Sequence, residues 1–239
     1  MTTDPITGIP RSQFVQVEFS AIARHYELMN QIMTFGQVNR LRRLAIKRLQ
    51  LKPGMKVLDH GAGSGQISRQ IVKMHPGVEV FPSDFNAEMI LADGKQGFLP
   101  FVLSDARKLP YPNAFFDRVI CGFLLRNISN YPEALEETLR VLKPGGIFVS
   151  LDTTPPASSL LRPLLWLYMR VMIPLVGTLV TGRFGAYDYL IKSSEGFTPA
   201  VELVVHLQKA GFINPGFEKL MFGAFAVHWA EKTTGETFQ

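Results

Sequence analysis

Short apolar runs alternate with helical patterns along the middle of the chain. The runs are MKVLDH (55–60), VEVFPS (78–83), PFVLS (100–104), DRVICGF (117–123) and IFVSLD (147–152). The helical patterns between them are QISRQIVKM (66–74), AEMILAD (87–93) and YPEALEETLRVL (131–142). Because each helical pattern is long enough for a crossover between parallel strands, the alternation predicts an α/β fold with a doubly wound, mostly parallel sheet.

The two ends of the chain add different elements to this sheet. FEKLMF (217–222) and FAVHWAEK (225–232) flank Gly223 and Ala224, which predicts a closing antiparallel hairpin and seven strands in all. The chain is helical in pattern from Phe14 to about Leu51, and KPG at 52–54 is expected to end that segment. Its apolar side carries Leu41, Leu44, Ala45 and Leu49, and its basic side carries Arg40, Arg42, Arg43 and Lys47.

Residues 155–199 interrupt the alternation with a very apolar stretch. Arg162, Pro163, Arg170 and Pro174 break it too often for a membrane-spanning helix, so we expect a helical cap inserted before the last two strands. We therefore predict a single domain over 1–239, with parts 14–51 (N-terminal helices), 55–152 (core), 155–199 (cap) and 200–232 (closing helix and hairpin). The first dozen residues are expected to be poorly ordered.

Composition narrows the class of protein. With 46% hydrophobic and 19% charged residues in 239, the chain can build a sizeable core. A single cysteine excludes an intrachain disulfide framework and suits a reducing cytosol, and the start of the chain lacks a signal-peptide core, so we expect a cytoplasmic protein. The five histidines have no metal-ligand spacing, and no metal site is predicted.

The candidate chemistry begins with the glycine-rich segment VLDHGAGSGQIS (57–68). Asp59 precedes three glycines at alternate positions, Gly61, Gly63 and Gly65. A pyrophosphate site favours a different glycine spacing, and a carboxylate would repel a phosphate while attracting a cationic α-amino group. The loop therefore favours S-adenosylmethionine, although a tight strand-to-helix turn without a ligand is an alternative.

Two further carboxylates follow later strands. Asp84 stands about 20 positions after the last glycine, where a carboxylate can accept hydrogen bonds from both ribose hydroxyls; it could also cap a helix. Asp105 follows the third strand and could accept a bond from the adenine amino group. Since ligands bind at the carboxyl ends of parallel strands, the three features together indicate the cofactor.

With these residues in view, the chain resembles class I S-adenosylmethionine-dependent methyltransferases, and more narrowly the ubiquinone/menaquinone-biosynthesis C-methyltransferases, over roughly residues 19–232. The motifs that carry the resemblance are FSAIARHYELMNQIMTFG (19–36), SDFNAEMI (83–90), DARKLPYPNAFFD (105–117), GFLLRNISN (122–130), RVLKPGG (140–146) and IPLVGTLVTGRFGAYDYLIKSSEGF (173–197). His60, Gln66 and Leu124 depart from that family's usual residues.

The resemblance implies a set of site residues. The expected cofactor-binding residues are Asp59, Gly61, Ala62, Gly63, Gly65, Asp84, Phe85, Met89, Asp105, Ala106 and Asn127. The expected substrate-binding residues are Tyr26, Met29, Tyr189 and Ser193, with Tyr187 beside them.

Methyl transfer to a ring carbon needs alignment and a stabilised phenolate, because loss of the hydroxyl proton makes the neighbouring carbon nucleophilic. Arg126 follows the fourth strand and is the first candidate for stabilising the phenolate, with a salt bridge to a surface carboxylate as the alternative. Tyr187, Tyr189 and His228 are candidates for proton handling; the tyrosines could instead pack the cap and His228 could be structural. Cys121 is expected in the core.

Three functional hypotheses follow. The first is methylation of a lipophilic quinol or phenol at a ring carbon, at a membrane surface that the basic helix and the apolar cap could contact. The second is methylation of O, N or C in another apolar small molecule such as a polyketide or terpenoid, and the third is a non-catalytic cofactor- or lipid-binding module. A solvated basic face with a packed cap remains the alternative to membrane contact, a homodimer is compatible with the sequence, and nucleic-acid binding is not expected. A nicotinamide-dependent oxidoreductase is disfavoured by the glycine spacing.

Overall fold

The protein is a seven-stranded α/β structure. The computed structural model describes residues 11–92, 99–155, 167–182 and 184–235, with the backbone alone at 11, 12, 14, 169, 181 and 184–188. Its strands are β1 (Lys56–His60), β2 (Glu79–Asp84), β3 (Val102–Leu103), β4 (Phe116–Gly122), β5 (Leu142–Thr153), β6 (Ile213–Leu220) and β7 (Phe225–Glu231). They lie in the order β3-β2-β1-β4-β5-β7-β6, with β7 antiparallel to both neighbours and every other pair parallel. This confirms the predicted mostly parallel sheet and its closing hairpin.

Helices surround the sheet and extend beyond it. They are α1 (Arg11–Ile22), α2 (Tyr26–Met33), α3 (Val38–Arg48), α4 (Gln66–Met74), α5 (Ala87–Leu91), α6 (Tyr131–Val141), α7 (Ile173–Thr181), α8 (Phe184–Glu195) and α9 (Ala200–Lys209). A π-helical turn, Tyr168–Met172, leads into α7. Of the helices in the described ranges, none has both the length and the apolarity that crossing a bilayer would require.

Two apolar cores, one on each face of the sheet, fix the position of these helices. On one face α3 and α4 pack Leu41, Ala45 and Ile71 against Val57 and Val149. On the other face α6 and α9 cover the sheet. There Leu135, Leu203 and Leu207 of the helices pack against Leu142 and Phe148 of β5. Full burial on both faces explains why the central strands read as nearly continuous apolar runs.

The described part of the cap packs on the N-terminal helices. Ile22 and Met29 from the N-terminal segment form a third, smaller core with Ile173 of α7 and Leu190 of α8. The Tyr168 hydroxyl also donates a hydrogen bond to the carbonyl of Ile32, at 2.7 Å. The helical character expected for the cap is therefore present in residues 167–182 and 184–195, while 156–166 and 183 lie outside the described residues.

A row of polar side chains crosses the face of the sheet that α6 and α9 cover. Ser83, His60, Cys121, Ser150 and His228 are register neighbours on β2, β1, β4, β5 and β7. All five are buried. The Oγ atoms of Ser83 and Ser150, Nε2 of His60 and Nδ1 of His228 have no hydrogen-bond partner. The row is thus an exception in a face that is otherwise packed with aliphatic and aromatic residues.

The N-terminal helical segment differs from its prediction at two points. It is broken between α2 and α3, where Phe35 and Gly36 have φ of 50° and 75°. It also ends at Arg48, with Gln50 at φ 50°, so KPG at 52–54 lies in the turn that follows the helix and does not end it. The first dozen residues were expected to be poorly ordered. Residues 1–10 lie outside the described residues, and α1 begins at Arg11.

The strand boundaries were predicted less well than the strands themselves. β3 has only two residues, and β5 begins at Leu142, with a register shift opposite Phe116/Arg118. β6 begins at Ile213, four positions before the predicted apolar run, because it pairs with β7 through an irregular register between Ile213 and Gly216. A short edge strand and a bulge leave little trace in a hydrophobic pattern.

Candidate functional site

The glycine loop between β1 and α4 borders a cavity of about 160 Å³, which we call the first cavity. Gly61, Gly63 and Gly65 all have left-handed φ values of 67°, 55° and 79°, which glycine adopts without strain. A Cβ at Gly61 would lie 2.6 Å from Leu124 Cδ1, and one at Gly65 would lie 2.7 Å from Phe101 Cζ. The loop therefore requires glycine both for its backbone conformation and for close approach of its neighbours.

Of the predicted cofactor-binding residues, nine line this cavity. They are Gly61, Ala62, Gly63, Asp84, Phe85, Met89, Asp105, Ala106 and Asn127. Tyr26, predicted to contact substrate, lines it too. The structure thus brings together residues from the end of β2 and from the segments that follow β1, β3 and β4, as the strand-end rule requires.

Asp59 lies beneath the loop and is not part of the lining. Its Oδ2 accepts hydrogen bonds from the Ser68 hydroxyl at 2.6 Å and the Ser68 backbone N–H at 2.9 Å. Its Oδ1 is buried without a partner, and burial raises the pKa of this carboxyl to about 6. Asp59 therefore holds the first turn of α4 under the loop, and Gly65 begins that helix outside the cavity lining. Contact of either residue with an α-amino group or another part of the cofactor stays a prediction.

Asp84 fixes the loop to the end of β2. Its Oδ2 accepts the Gly63 N–H at 2.7 Å and its Oδ1 accepts the Asn86 N–H at 2.9 Å. Burial raises the pKa of Asp84. Each carboxylate oxygen has a second lone pair, so both can still accept a ligand hydroxyl. The helix cap proposed as an alternative belongs to a different residue, because Asn86 Oδ1 accepts the Met89 N–H at the start of α5.

Asp105 is held by a neighbour that the sequence analysis did not single out. Arg107 donates to it through Nη2 at 2.7 Å, Nε at 3.1 Å and the backbone N–H at 2.9 Å. These bonds keep the pKa of Asp105 below its usual value. Because the two residues are only two positions apart, a local charge pattern could have revealed the pair.

Helix α1 covers one side of the first cavity. Val15 and Phe19 line it, and Asn86 ties the helix to the site by donating to the carbonyl of Gln16 at 3.0 Å. The ring of Phe19 packs on Tyr26 at 5.6 Å between centroids and edge-on to Tyr189 at 6.5 Å. Sequence reasoning missed this role of α1, since its apolar residues form no clean helical stripe.

Helices α2 and α3 contribute an ion pair to the wall. Arg42 is buried and binds Glu27 through two parallel bonds of 2.8 Å, from Nη1 to Oε1 and from Nη2 to Oε2. Both residues line the first cavity. Arg42 is therefore not on the solvated basic face expected for this helix, whereas Arg40, Arg43 and Lys47 are exposed.

Arg126 does not line the first cavity. Its Nη1 lies 2.6 Å from Oδ1 of Asp152 at the end of β5, and both side chains are 1–2% exposed. The salt-bridge alternative holds, but the partner is a buried carboxylate and not a surface one. In this position the charge of Arg126 opposes the rise that burial produces in the pKa of Tyr26. Direct contact of Arg126 with a phenolate stays a prediction.

The sequence analysis also missed Asp152. It is an acidic residue at the carboxyl end of a central strand, so the rule that found Asp84 and Asp105 could have found it. Its partner follows from the same rule, since Arg126 comes shortly after β4, which pairs in parallel with β5.

The remaining predicted residues lie outside the lining. His228 is buried in β7, where its Nε2 lies 3.0 Å from the carbonyl of Ala200 and its ring stacks on Phe217, so its predicted proton handling is corrected to a structural role.

Met29 is in the third core, and the Ser193 hydroxyl donates to Leu190 of its own helix. Tyr189 is buried beside Phe19, behind the lining. The side chain of Tyr187 lies outside the described residues. Cys121 is buried in the core, as predicted.

The first cavity suits a particular ligand chemistry. Its carboxylates are Glu27, Asp84 and Asp105, while its arginines, Arg42 and Arg107, are each paired with one of these acids. A polyphosphate would meet Asp84 directly and would find both arginines neutralised. A nucleoside with hydroxyl donors and a cationic amino-acid end fits this distribution of charge better.

A second cavity, of about 580 Å³, lies between α2, α3, the π-helical turn and the β6–β7 connection. Its described lining is Met33, Phe35, Gln37, Arg40, Leu41, Leu44, Thr153, Tyr168, Ile173, Leu220, Met221, Phe222, Ala224 and Phe225. The lining is mostly aliphatic and aromatic, and none of it is shared with the first cavity.

Comparison with known proteins places this geometry in context. The model of the ubiE/COQ5 methyltransferase family matches residues 8–232. The chain is 37% identical over 222 residues to the ubiquinone/menaquinone biosynthesis C-methyltransferase UbiE of Desulfotalea psychrophila, covering 91% of this chain and 90% of that protein. It is 35% identical to the demethylmenaquinone methyltransferase of Thermus thermophilus, covering 90% and 99%. Among solved structures, an S-adenosylmethionine-dependent methyltransferase from Thermotoga maritima superposes with a TM-score of 0.66 at 18% identity, covering 91% of this chain and 99% of that one.

Proposed function

Because the chain belongs to the ubiE/COQ5 methyltransferase family, we propose that it transfers a methyl group from S-adenosylmethionine to a ring carbon of a lipophilic quinol. The observation that carries the proposal is the first cavity itself, where the glycine loop, Asp84 and Asp105 meet at the carboxyl edge of the sheet. Two relatives named for this chemistry match nearly the whole chain.

The residues present fit the cofactor. Asp84 keeps free lone pairs on two oriented oxygens, which suits the ribose hydroxyls. Phe85 and Met89 supply apolar walls beside it, and Asp105 with Ala106 borders the side where the adenine would lie. Gly61 and Gly63 let the backbone approach the amino-acid end closely. When bound, S-adenosylmethionine supplies an electrophilic methyl group, so the protein need not activate the donor.

The tasks left to the chain are alignment, exclusion of water and control of the phenolic proton. Phe19, Phe123 and Leu124 enclose the first cavity with apolar surface. Tyr26 presents the titratable hydroxyl of the described lining on the acceptor side, and the charges of Arg126 and Arg42 act on it. We assign Tyr26 to hydrogen bonding with the phenolic oxygen of the acceptor, and Arg126 to stabilising negative charge there from behind.

Binding of the product S-adenosylhomocysteine tests the cofactor half of the proposal. Isothermal calorimetry is expected to give saturable binding to the wild-type protein. Asp84→Ala should weaken it at least about tenfold, because it removes a charged acceptor of ligand hydroxyls. Glu218→Ala, an exposed acid on β6, is the matched control and should bind like wild type. Absence of wild-type binding would refute the proposal.

The acceptor half is tested by product analysis. Incubation with demethylmenaquinol and S-adenosylmethionine should add one methyl group by mass, and NMR should place it on the ring carbon. A methyl group on oxygen, or no methylation of this quinol while another apolar phenol is methylated, would favour the broader small-molecule hypothesis. Tight cofactor binding without turnover on any acceptor would favour a non-catalytic module.

We further propose that the protein reaches its lipophilic acceptor at a membrane surface. Leu167, Val171, Leu175 and Leu179 recur every four residues along the cap, and all are about half exposed or more. Arg40 borders the second cavity together with Tyr168 of the cap, so the exposed basic side of α3 lies at the edge of this apolar surface. Apolar side chains beside exposed cations fit the interface of an anionic bilayer.

A further inference from the structure

We propose that the second cavity binds the aliphatic chain of an acceptor whose ring lies in the first cavity. The inference rests on the proposed function, because it assumes that a ring in the first cavity is the group methylated. It adds a binding site, with its own residues, for a part of the acceptor that takes no part in the chemistry.

The size and lining of the second cavity fit an aliphatic ligand. Its volume of about 580 Å³ is well above what one or two water molecules need, and it lies in the range of ligand pockets. Leu41, Leu44, Ile173 and Leu220 supply aliphatic walls. In a folded protein an apolar void of this size loses packing energy unless something fills it.

One buried polar group in the lining has no partner. Thr153 is 4% exposed, and its Oγ1 makes no hydrogen bond within the protein. Burying a hydroxyl without a partner is costly, so such a group in a ligand-sized cavity indicates a polar atom of a ligand. A quinol with an aliphatic chain would satisfy both features, because its chain matches the apolar walls and the ring oxygen beside the chain could bond to Thr153.

Irregular backbone converges on this cavity. Phe35, Met221 and Phe222 line it with left-handed φ values of 50°, 48° and 56°, and the π-helical turn begins at Tyr168. Non-glycine residues in that region cost roughly 1 kcal/mol or more each, persist only where the surrounding structure holds them, and cluster at ligand sites. Here the strained turns place Phe35 and Phe222, which are 60% and 70% exposed, at the edge of the cavity.

The two cavities lie back to back. Phe123 lines the first and Phe225 lines the second, and their rings meet edge-on with centroids 6.2 Å apart. Thr153 also directly follows Asp152, which binds Arg126 behind the first cavity. We place the chain-bearing side of a ring in the first cavity next to Thr153 and the Phe123–Phe225 wall, because there the two cavities are nearest. The chain would continue from there towards the exposed Phe35 and Phe222.

A cavity-filling variant tests the assignment. Leu44→Trp adds volume at the wall of the second cavity, away from the first. Val72→Trp makes a comparable change at an exposed position of α4 and is the matched control. The acceptors are naphthohydroquinone without a side chain and the same ring carrying a geranyl chain next to the free ring carbon. S-adenosylhomocysteine binding should be unchanged in both variants, which verifies folding and the first cavity.

In the wild-type protein and in Val72→Trp, the geranyl chain should raise kcat/KM at least about tenfold, mainly through KM, which corresponds to burial of about two methylene groups. Leu44→Trp should abolish this advantage and leave the chainless acceptor within about twofold of wild type. Thr153→Val should raise KM for the geranyl acceptor about fivefold, the effect of one lost hydrogen bond. Equal kcat/KM for the two acceptors in wild type, or equal losses for both in Leu44→Trp, would overturn the inference.

A binding measurement separates this inference from the proposed function. Geraniol, which has the chain and one oxygen but no ring, should bind the wild-type protein saturably in calorimetry, and Leu44→Trp should remove that binding. If neither quinol is methylated, the proposed function fails. The geraniol measurement tests the aliphatic site separately. If geraniol does not bind the wild-type protein, or if Leu44→Trp leaves its binding unchanged, the aliphatic site is overturned.

Discussion

Asp59 and His60 are adjacent at the end of β1, and burial shifts their pKa values in opposite directions. The Asp59 pKa rises from 3.8 to about 6, and the His60 pKa falls from 6.5 to about 4. Their side chains lie on opposite faces of the sheet: Asp59 bonds to Ser68 of α4, whereas His60 belongs to the polar row. Both residues are therefore held in their uncharged forms more strongly than in the unfolded chain.

This pair predicts opposing pH effects on stability. Between pH 6.5 and 4 the unfolded chain protonates His60 while the folded protein does not, so this group lowers the free energy of unfolding as pH falls. Asp59 has the opposite effect between pH 6 and 3.8. As pH falls, the folded protein binds this proton before the unfolded chain does, so this group raises the free energy of unfolding. Asp59→Asn removes this opposing contribution, and stability should fall more steeply from pH 6.5 to 4, by up to about 3 kcal/mol more than in wild type.

Urea unfolding followed by circular dichroism at several pH values measures this. His60→Asn is the counterpart: it removes the His60 contribution, so as pH falls from 6 to 4 stability should fall less steeply than in wild type. Only the slopes with pH are compared, so a uniform loss of stability in either variant does not affect the test. Identical slopes in the two variants would contradict the assignment.

At the scale of elements, the contact between α2 and α3 depends on the ion pair of Glu27 and Arg42. Arg42 is 4% exposed and Glu27 is 30% exposed. Replacing Glu27 by Gln leaves a buried guanidinium without its counter-charge, which should lower the free energy of unfolding by about 3 kcal/mol. Chemical denaturation gives this value, and S-adenosylhomocysteine affinity should fall as well, since both residues line the first cavity.

The control for Glu27 is a pair of similar chemistry at the surface. Arg48 and Glu218 also lie 2.8 Å apart, but their side chains are 42% and 49% exposed. Glu218→Gln should change stability by no more than about 0.5 kcal/mol, because solvent screens exposed charges. If Glu27→Gln and Glu218→Gln changed the free energy of unfolding by equally small amounts, burial of the Arg42 ion pair would not contribute to stability.

The pattern of hydrophobic residues predicted elements well where local rules and packing agree. QISRQIVKM matches α4 from Gln66 to Met74, since a left-handed glycine begins it and Ile67 and Ile71 face the core. The break at Phe35 and the π-helical turn at Tyr168 were not predictable, because neither a positive φ at phenylalanine nor a π-helical bond has a sequence signature. Tertiary packing imposes both.

The candidate site was predictable as far as it follows from strand ends. Asp84 and Asp105 were found because a parallel sheet gathers the carboxyl ends of its strands at one edge. The pairing of Arg126 with Asp152 was missed because Asp152 was not singled out, although both residues lie at strand ends. The covering of the cavity by Phe19 was not predictable, because α1 is far from the strand ends in sequence. The charge and spacing of these residues predicted the class of cofactor. The hydrogen-bond and ion-pair partners of the charged residues became known only from the folded structure.

At the scale of the whole molecule, the cap and the basic side of α3 predict binding to anionic vesicles. Co-sedimentation with phosphatidylglycerol vesicles should exceed that with phosphatidylcholine and fall with salt, because exposed cations contribute at low ionic strength. Leu175→Gln with Leu179→Gln should reduce binding to both lipids, since these residues are 52% and 78% exposed on the cap. Val201→Gln, at a 60% exposed position on α9, is the control and should bind like wild type. Equal binding of all variants would contradict the role of the cap.

The polar row across the sheet also holds the one thiol of the chain. Cys121 lies in register between His60 and Ser150, is 1% exposed, and its pKa is raised by burial. Thiol reagents react with an exposed thiolate, so labelling of Cys121 must wait for the central strands to separate. The rate at which a thiol reagent labels the wild-type protein thus measures how often the sheet opens. A ligand that lowers this rate must bind the folded protein, so binding can be detected without an assay of methyl transfer.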